Sequence, residues 1–405
     1  MKTSYLTIIA LLFYSTLIDA DPNPAIKTMV DKISKDSVTA VIKHLSSYQE
    51  RYADKEINKK QVCPWAFDRL KSYGCDSVYY QNLSGNYGPN IIGIKKGSKD
   101  KTGTSYILIG AHIDCTAEGN SRSPGADDNA SGVSCVLETA RIICQNSFDS
   151  TIRFILFNAE EQGMVGSRAY VKYMKEQKHR VIGGFMNYDM ISYVPPNTNP
   201  YKMWMPYAND ISGNKEFADK YQSTAKSYTN LQYTPEGGSR NSWLAGADHG
   251  SFWAEGIIAI IGSEKVFPDG YHTSNDLFGQ SANNMDFTTD VTKSCLAMVA
   301  TLAEPSTSSA LLSLSNINKT SLSVKYINNQ YHIMFNASSN SGQLQQITIF
   351  NSMGQAAWST NSINNTNSYT WNGKTLSGNP LSKGAYIIEC KTSAKKTLYQ
   401  SITIF

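Results

Sequence analysis

Residues 106–114, Tyr106-Ile-Leu-Ile-Gly-Ala-His112-Ile-Asp114, join an unbroken apolar run to a histidine and an aspartate. A strand with an alternating face would show a polar residue at every second position. An uninterrupted run instead fits a strand buried on both faces, as in a parallel sheet. Downstream, Val133, Val136, Leu137, Ala140 and Ile143 fall on one face of a helix over Ser131–Gln145. Ile152–Phe157 repeats the apolar strand pattern, a helix follows over about Met164–Gln177, and Phe185–Tyr188 and Ile257–Ile261 supply two more strands. Strand and helix alternate, which predicts an α/β fold: a mainly parallel, mixed sheet sandwiched by helices.

Upstream of the deciding stretch, Met29, Val30, Ile33, Val38, Val41, Ile42 and Leu45 recur at helical spacing within one pattern from Pro24 to about Tyr52. A second helix is expected over Cys63–Ser72. Short strand-like runs follow at Val78–Tyr80 and Asn90–Ile94, and the polar, Gly-containing segment Lys95–Thr104 reads as a hairpin. Past Glu304-Pro305-Ser-Thr-Ser-Ser309 the composition turns to Ser, Asn and Thr. The runs Leu322–Tyr326, Tyr331–Phe335, Gln346–Phe350 and Ala385–Cys390, parted by Asn and Gly clusters, predict a small all-β sandwich.

The first twenty residues have a different character. Lys2 precedes the apolar stretch Tyr5–Tyr14, and Ile18-Asp-Ala20 ends it with a small residue. The run is too short to span a bilayer and has the order of a secretory signal, so 1–20 are expected to direct export. A secreted or cell-surface location follows, with no stable membrane insertion. Across its 405 residues the chain has 41% hydrophobic and 17% charged residues and a formal net charge of +4. Without a basic run, that small charge argues against nucleic acid as a partner. In an exported chain Cys63 and Cys75, either side of a short helix, are a plausible local disulfide; the total of seven leaves at least one cysteine over.

Each predicted strand ends in a residue able to hold a metal: His112-Ile-Asp114, Asn158-Ala-Glu160-Glu161, Asp189, and, past the last strand, Tyr271-His272. Between them a loop, Pro124-Gly-Ala-Asp-Asp128-Asn-Ala-Ser-Gly132, enters a helix. Singly, each has an ordinary use. Asp128 could cap a helix, Glu160-Glu161 could begin one, and His112 could be packed in a core. Together, at the strand ends where open α/β sheets gather ligands, they suit zinc or a similar divalent ion.

These segments, with the full Gly125-Ala-Asp-Asp128-Asn-Ala-Ser-Gly132 motif, resemble the zinc aminopeptidase family, which also contains glutamate carboxypeptidase-like enzymes and glutaminyl cyclases. All stand in the family's order across roughly Pro24–Pro305. The resemblance implies a peptidase domain over 21–305 with two zinc ions: His112 and Asp189 on one, Glu161 and His272 on the other, and Asp128 bridging. It casts Glu160 as the general base that takes a proton from the metal-bridged water. Asp114 would accept the other ring N–H of His112 and fix its tautomer. The implied substrates are the free N-termini of peptides or proteins. Carboxypeptidase activity, with Arg240 or Lys265 serving a terminal carboxylate, is an alternative, as is single-zinc glutaminyl cyclase.

Three further features bear on the site. Cys115 stands where the family often has a serine, which puts that residue's hydrogen bond in question. Asp248-His249 is open between a place beside the site and a helix cap, and Gly237-Gly-Ser-Arg240 between the cleft and an ordinary loop. After a linker over 306–315, the segment 316–405 carries Ile347–Gln355, Trp371–Gly378 and Leu381–Tyr386. These resemble the C-terminal sorting domain of bacterial type IX secretion and imply the secretion machinery as a partner.

Overall fold

A computed structural model describes residues 22–116, 122–306 and 321–404, the last with interruptions at 328–329, 337–342, 352–354, 362, 364–367, 376 and 395–396. The expected export signal over 1–20 and nearly all of the expected linker over 306–315 lie outside the described residues. The chain divides into two compact units, Met1–Ser309 and Ala310–Phe405. No helix among the described residues is long and apolar enough to cross a membrane.

The first unit is built on a six-stranded sheet whose strands are β1 (Ser77–Gln81), β2 (Asn90–Lys95), β3 (Ser105–His112), β4 (Thr151–Phe157), β5 (Arg180–Tyr188) and β8 (Ala259–Gly262). Their spatial order is β1-β2-β4-β3-β5-β8. The pairs β4–β3, β3–β5 and β5–β8 are parallel, while β1–β2 and β2–β4 are antiparallel. The mainly parallel mixed sheet expected from the alternation is therefore what forms.

Pleating explains why the central runs are apolar at every position. On β3, Ile107, Ile109 and Ala111 enter one buried cluster, while Tyr106 and Leu108 enter a second on the opposite face. On β4, Ile152, Phe154 and Leu156 join the first and Ile155 and Phe157 the second. The first cluster is completed by α1 (Pro24–Val30), α2 (Lys35–Ser46), α3 (Cys63–Ser72), α4 (Ala130–Ile143), α6 (Asn214–Lys226) and α8 (Met285–Ala303). The second takes α5 (Val165–Glu176) and α7 (Asp248–Ala254). A buried Leu- or Phe-sized side chain contributes about 1.5–3 kcal/mol, so two such cores hold the strand ends rigidly in place.

Three expectations change and one element is unanticipated. The single helical pattern from Pro24 to Tyr52 is two helices, because the Ser34 hydroxyl accepts the Ser37 N–H and starts α2 afresh. Lys95–Thr104 is not a hairpin: β2 pairs with β4, and β3 lies beyond it. Its turn-forming residues serve a crossover instead. Cys63 does not meet Cys75. Its buried thiol lies 3.2 Å from both Asn58 Oδ1 and Asn158 Nδ2, and Cys75 faces Cys144. Finally, β6 (Lys202–Ala208) and β7 (Gln232–Gly238) form a separate parallel pair, which the mixed polarity of both segments conceals.

Among its described residues the second unit is all β. A three-stranded sheet, order β13-β10-β9, comprises Ser368–Trp371, Gln330–Asn336 and Ser321–Ile327. A four-stranded sheet, order β12-β11-β14-β15, comprises Ala356–Thr360, Leu344–Phe350, Gly384–Thr392 and Thr397–Ile404. Ile333, Ile347, Ile349, Trp358, Trp371 and Ile388 share its core.

Candidate active site

The strand ends deliver the predicted side chains to one place. His112 is the last residue of β3, Glu160 and Glu161 follow β4, and Asp189 follows β5. Asp128 lies in the loop before α4, and His272 in the loop after β8. His112 Nε2 is 3.2 Å from Asp128 Oδ1 and 3.1 Å from Asp189 Oδ1. His272 Nε2 is 3.1 Å from Asp128 Oδ2 and 3.3 Å from Glu161 Oε2. The two oxygens of Asp128 thus face different histidines.

Among the described residues, donor atoms within 4.8 Å of one another form three overlapping groups: His112–Asp128–Asp189, Asp128–Glu161–His272 and His112–Glu160–Glu161. Mixed imidazole and carboxylate sets of this kind suit zinc. The buried Glu161 Oε1 has no hydrogen-bond partner, as fits a donor aimed at a cation.

Electrostatics point the same way. Burial pushes the Glu161 carboxyl up to about 7, Asp128 adds to the shift, and the His272 hydrogen bond opposes it. Burial, with the charges of Asp248, Glu161 and Asp189, drives Glu160 well above the usual carboxylate range against the pull of His112. Burial acts downward on His272, yet its hydrogen bonds to Asp128 and Glu161 lift it to about 10. Without a cation, this cluster relieves its crowded negative charge only by holding protons. Divalent ions would neutralise the same charge and displace those protons.

The Asp128 loop is shaped by residues beyond the predicted metal donors, of which the sequence reading did not single out Arg51. Arg51 is fully buried although it is an arginine. Its guanidinium donates to the carbonyls of Pro124, Gly125 (2.9 Å) and Ile113 (3.0 Å), tying the loop to the end of β3. The Asp276 carboxylate accepts the Asp127 N–H at 2.9 Å and the Asp128 N–H at 3.0 Å, so it couples the loops that carry Asp128 and His272. Asn129 caps α4 through the Gly132 N–H (2.8 Å) and donates to Tyr188 O (2.9 Å) at the end of β5. Cys115 keeps a polar role without the family's serine: its sulfur accepts the Arg51 N–H at 2.9 Å and donates to Ser123 O at 3.3 Å.

Gly125 has φ of +58°, and a Cβ there would lie 2.5 Å from Asp128 O and 2.7 Å from Arg51 Nη2. Only glycine fits. Gly125→Ala is expected to destabilise the first unit by at least about 2 kcal/mol and to weaken metal retention, as denaturant titration and metal analysis would read.

Asp114 behaves differently from the expectation. Its distance to His112 Nδ1 is 3.7 Å, too long for a hydrogen bond, and that ring nitrogen has no partner. The Asp114 carboxylate instead accepts the backbone N–H groups of Glu160 (3.2 Å) and Glu161 (3.3 Å), which sets the turn that aims both glutamates.

Asp248 opens α7, but its side chain makes no cap. It is fully buried, and burial pushes its carboxyl up to about 7. His249 lines the cavity, with Nε2 2.7 Å from Leu244 O.

The cavity above these side chains measures about 380 Å³. Its floor is His112, Asp128, Glu160, Glu161, Asp189 and His272, and its walls include Met190, Trp204, Trp243, Leu244, Ile261 and Phe267. Trp243 is 72% exposed and stacks on Trp204 at 5.6 Å between ring centroids. Arg240 and Lys265 do not line the cavity. They pair with Asp210 (3.2 Å) and Glu236 (2.9 Å). Gly237 and Gly238 lie in β7, also away from the cavity.

Comparison with known proteins shows the family to which this fold belongs. The chain is 35% identical over 196 residues to Aminopeptidase YwaD of Bacillus subtilis, an alignment covering 46% of this chain and 39% of YwaD. It spans less than half the length of the curated relatives it matches. LapA of Legionella superposes with a TM-score of 0.60 at 25% identity, covering 69% of this chain and 75% of LapA. A Bacteroides thetaiotaomicron glutaminyl cyclase shares the fold, with a TM-score of 0.52 at 18% identity over 66% of this chain and 97% of the cyclase. Residues 90–296, half of the chain and the span that carries His112 through His272, match the sequence profile of peptidase family M28, and the protein belongs to that family.

Proposed function

We propose that the first unit is a two-zinc aminopeptidase, acting on peptides or proteins with a free N-terminus. The observation that carries this reading is Asp128, whose two oxygens face His112 and His272 and so belong to two donor triplets at once. His112 and Asp189 would hold one zinc, Glu161 and His272 the other, with Asp128 shared between them. Such a pair, once bound, supplies Lewis-acid polarisation of the scissile carbonyl and a water more easily deprotonated.

The chain's own residues do the rest. Glu160 stands beside both triplets and is free to take a proton from the attacking water and pass it to the departing amine. Asp114 holds the backbone of Glu160 and its neighbour. The apolar walls of the cavity offer a surface on which the substrate's first side chain can pack.

The choice of terminus rests on charge. A free α-amino group titrates near ~7.7–8.0 and is substantially cationic at neutral pH, whereas a terminal carboxylate is anionic. Among the described residues the cavity lining holds several carboxylates and no Lys or Arg, and Arg240 and Lys265 are paired with Asp210 and Glu236. Glutaminyl cyclase is disfavoured by the second complete triplet.

Leucine p-nitroanilide and its N-acetyl counterpart, each with and without chelator, test the proposal. Chelator-sensitive cleavage of the free-amine substrate alone is expected. Cleavage of the acetylated substrate would refute the amine requirement.

The apolar walls favour a large aliphatic or aromatic first residue. Trp243→Ala removes one of them, and the expected result is a KM about tenfold higher for leucine p-nitroanilide with kcat little changed, a loss of ~1.4 kcal/mol of binding. In the fuller reading 21–305 is the catalytic domain of an exported protein. The C-terminal unit would be its recognition module for the secretion machinery, supported by the Trp371–Gly378 and Leu381–Tyr386 resemblance.

A further inference from the structure

Two cysteines far apart in the sequence are held with their sulfurs almost in bonding contact. Cys75 Sγ lies 2.8 Å from Cys144 Sγ. A disulfide measures ~2.05 Å, so a shift of about 0.8 Å closes the bond.

Both backbones are pinned by helix ends. Past α3, Gly74 adopts φ of +85°, its N–H bonds Lys71 O at 3.1 Å, and the Cys75 N–H bonds Leu70 O at 3.4 Å. This is the Schellman pattern, which fixes Cys75 relative to the helix. Cys144 caps the C-terminus of α4, with its N–H on Ala140 O at 2.9 Å. The strand between makes room for the sulfur: a Cβ on Gly93 of β2 would lie 3.3 Å from Cys75 Sγ. Cys63, the nearest cysteine to Cys75 in sequence, is engaged with Asn58 and Asn158.

We propose that Cys75 and Cys144 are a disulfide-forming pair, oxidised by a small-molecule or protein disulfide. The inference stands on this geometry and is independent of the aminopeptidase reading. Cys75 is half-buried and Cys144 buried, so Cys75 is the thiol an oxidant reaches first. Its thiolate attacks one sulfur of the donor disulfide and expels the other as a thiol. Cys144 then attacks the Cys75 sulfur of the mixed disulfide, loses its proton, and releases the second thiol. One S–S bond forms in the protein, one is lost from the donor, and both protein protons end on the donor's thiols. The Cys75 sulfur and burial raise the Cys144 thiol, so Cys144 is not the first to react. The bond would staple the end of α3 to the end of α4, the helix entered from the Asp128 loop.

The test uses the full-length chain, fully reduced and then exposed to oxidised glutathione, followed by alkylation in denaturant and mass analysis. Five of the seven cysteines should take the alkylating agent, with a linked peptide joining Cys75 to Cys144 and no glutathione retained. The melting temperature should rise by about 5–10 °C on oxidation. Cys75→Ser and Cys144→Ser should each abolish that shift. Alkylation at all seven positions, a stable glutathione adduct on Cys75, or Cys75 or Cys144 linked to any other cysteine would overturn the proposal. The wild-type chemistry decides the matter even if a variant fails to fold.

Discussion

Glu160→Gln is expected to retain its zinc and lose about 10²–10⁴-fold in kcat, the range assigned to a positioned general base. The amide is nearly isosteric with the carboxylate, so the packing around Asp114 and the turn after β4 should persist. What it lacks is a basic oxygen. The neighbouring Glu161 cannot substitute, because its Oε2 already faces His272 at 3.3 Å. Metal analysis beside steady-state kinetics separates the possibilities. A variant with full zinc and little turnover supports Glu160 as the base. A variant that loses zinc would make Glu160 a ligand, an outcome that its place in the His112–Glu160–Glu161 group makes worth measuring. Full activity would remove Glu160 from the chemistry.

Asp128→Asn should have a comparably large effect for a different reason. An amide has one oxygen to offer, and its nitrogen is no ligand for zinc. Asp128 serves His112's group through Oδ1 and His272's through Oδ2, so the substitution must abandon at least one. It would also remove negative charge from between the two proposed ions. Burial raises the Asp128 carboxyl, but the hydrogen bonds from His112 and His272 more than offset this and hold it well below the usual range. The carboxylate form is thus the one the site prefers even before a metal arrives. Replacing residues that merely support a ligand typically costs about 10–100-fold in metal affinity. Losing a shared ligand should exceed that, and competition with a chromophoric chelator would read it. Circular dichroism should remain native, because the Asp276 bonds go to the backbone N–H groups of Asp127 and Asp128 and not to this side chain.

How much of this could be read in advance depends on how local each signal is. The strand ends were legible because apolar runs such as Tyr106–Ala111 announce a two-faced sheet, and a histidine or carboxylate at the end of each run needs no further context. Arg51 was not legible. An arginine in a polar stretch looks solvated, and its burial depends on carbonyls from two distant segments converging on it. Asp276 was visible in the sequence, but its task lies in bonds to residues almost 150 positions away.

The misreadings have the same origin. Lys95–Thr104 has the composition of a hairpin, yet strand order, a property of the whole sheet, makes it a crossover. Cys63 and Cys75 are close in sequence on either side of α3, but helix geometry separates them while bringing Cys75 to Cys144. Asp114 is a further case. The family resemblance implies a bond from Asp114 to the His112 ring, while the fold turns its two oxygens toward the amides that follow β4.

The central claim is that one carboxylate joins two metal sites in this cavity, and zinc stoichiometry tests it most directly. Equilibrium dialysis of the metal-free protein against zinc, with bound metal counted per chain, should give two ions in the wild type. It should give one ion in His112→Ala and one in His272→Ala, with peptidase activity strongly reduced in both. A wild-type protein that saturates at a single zinc would contradict the account and favour the single-zinc glutaminyl cyclase alternative.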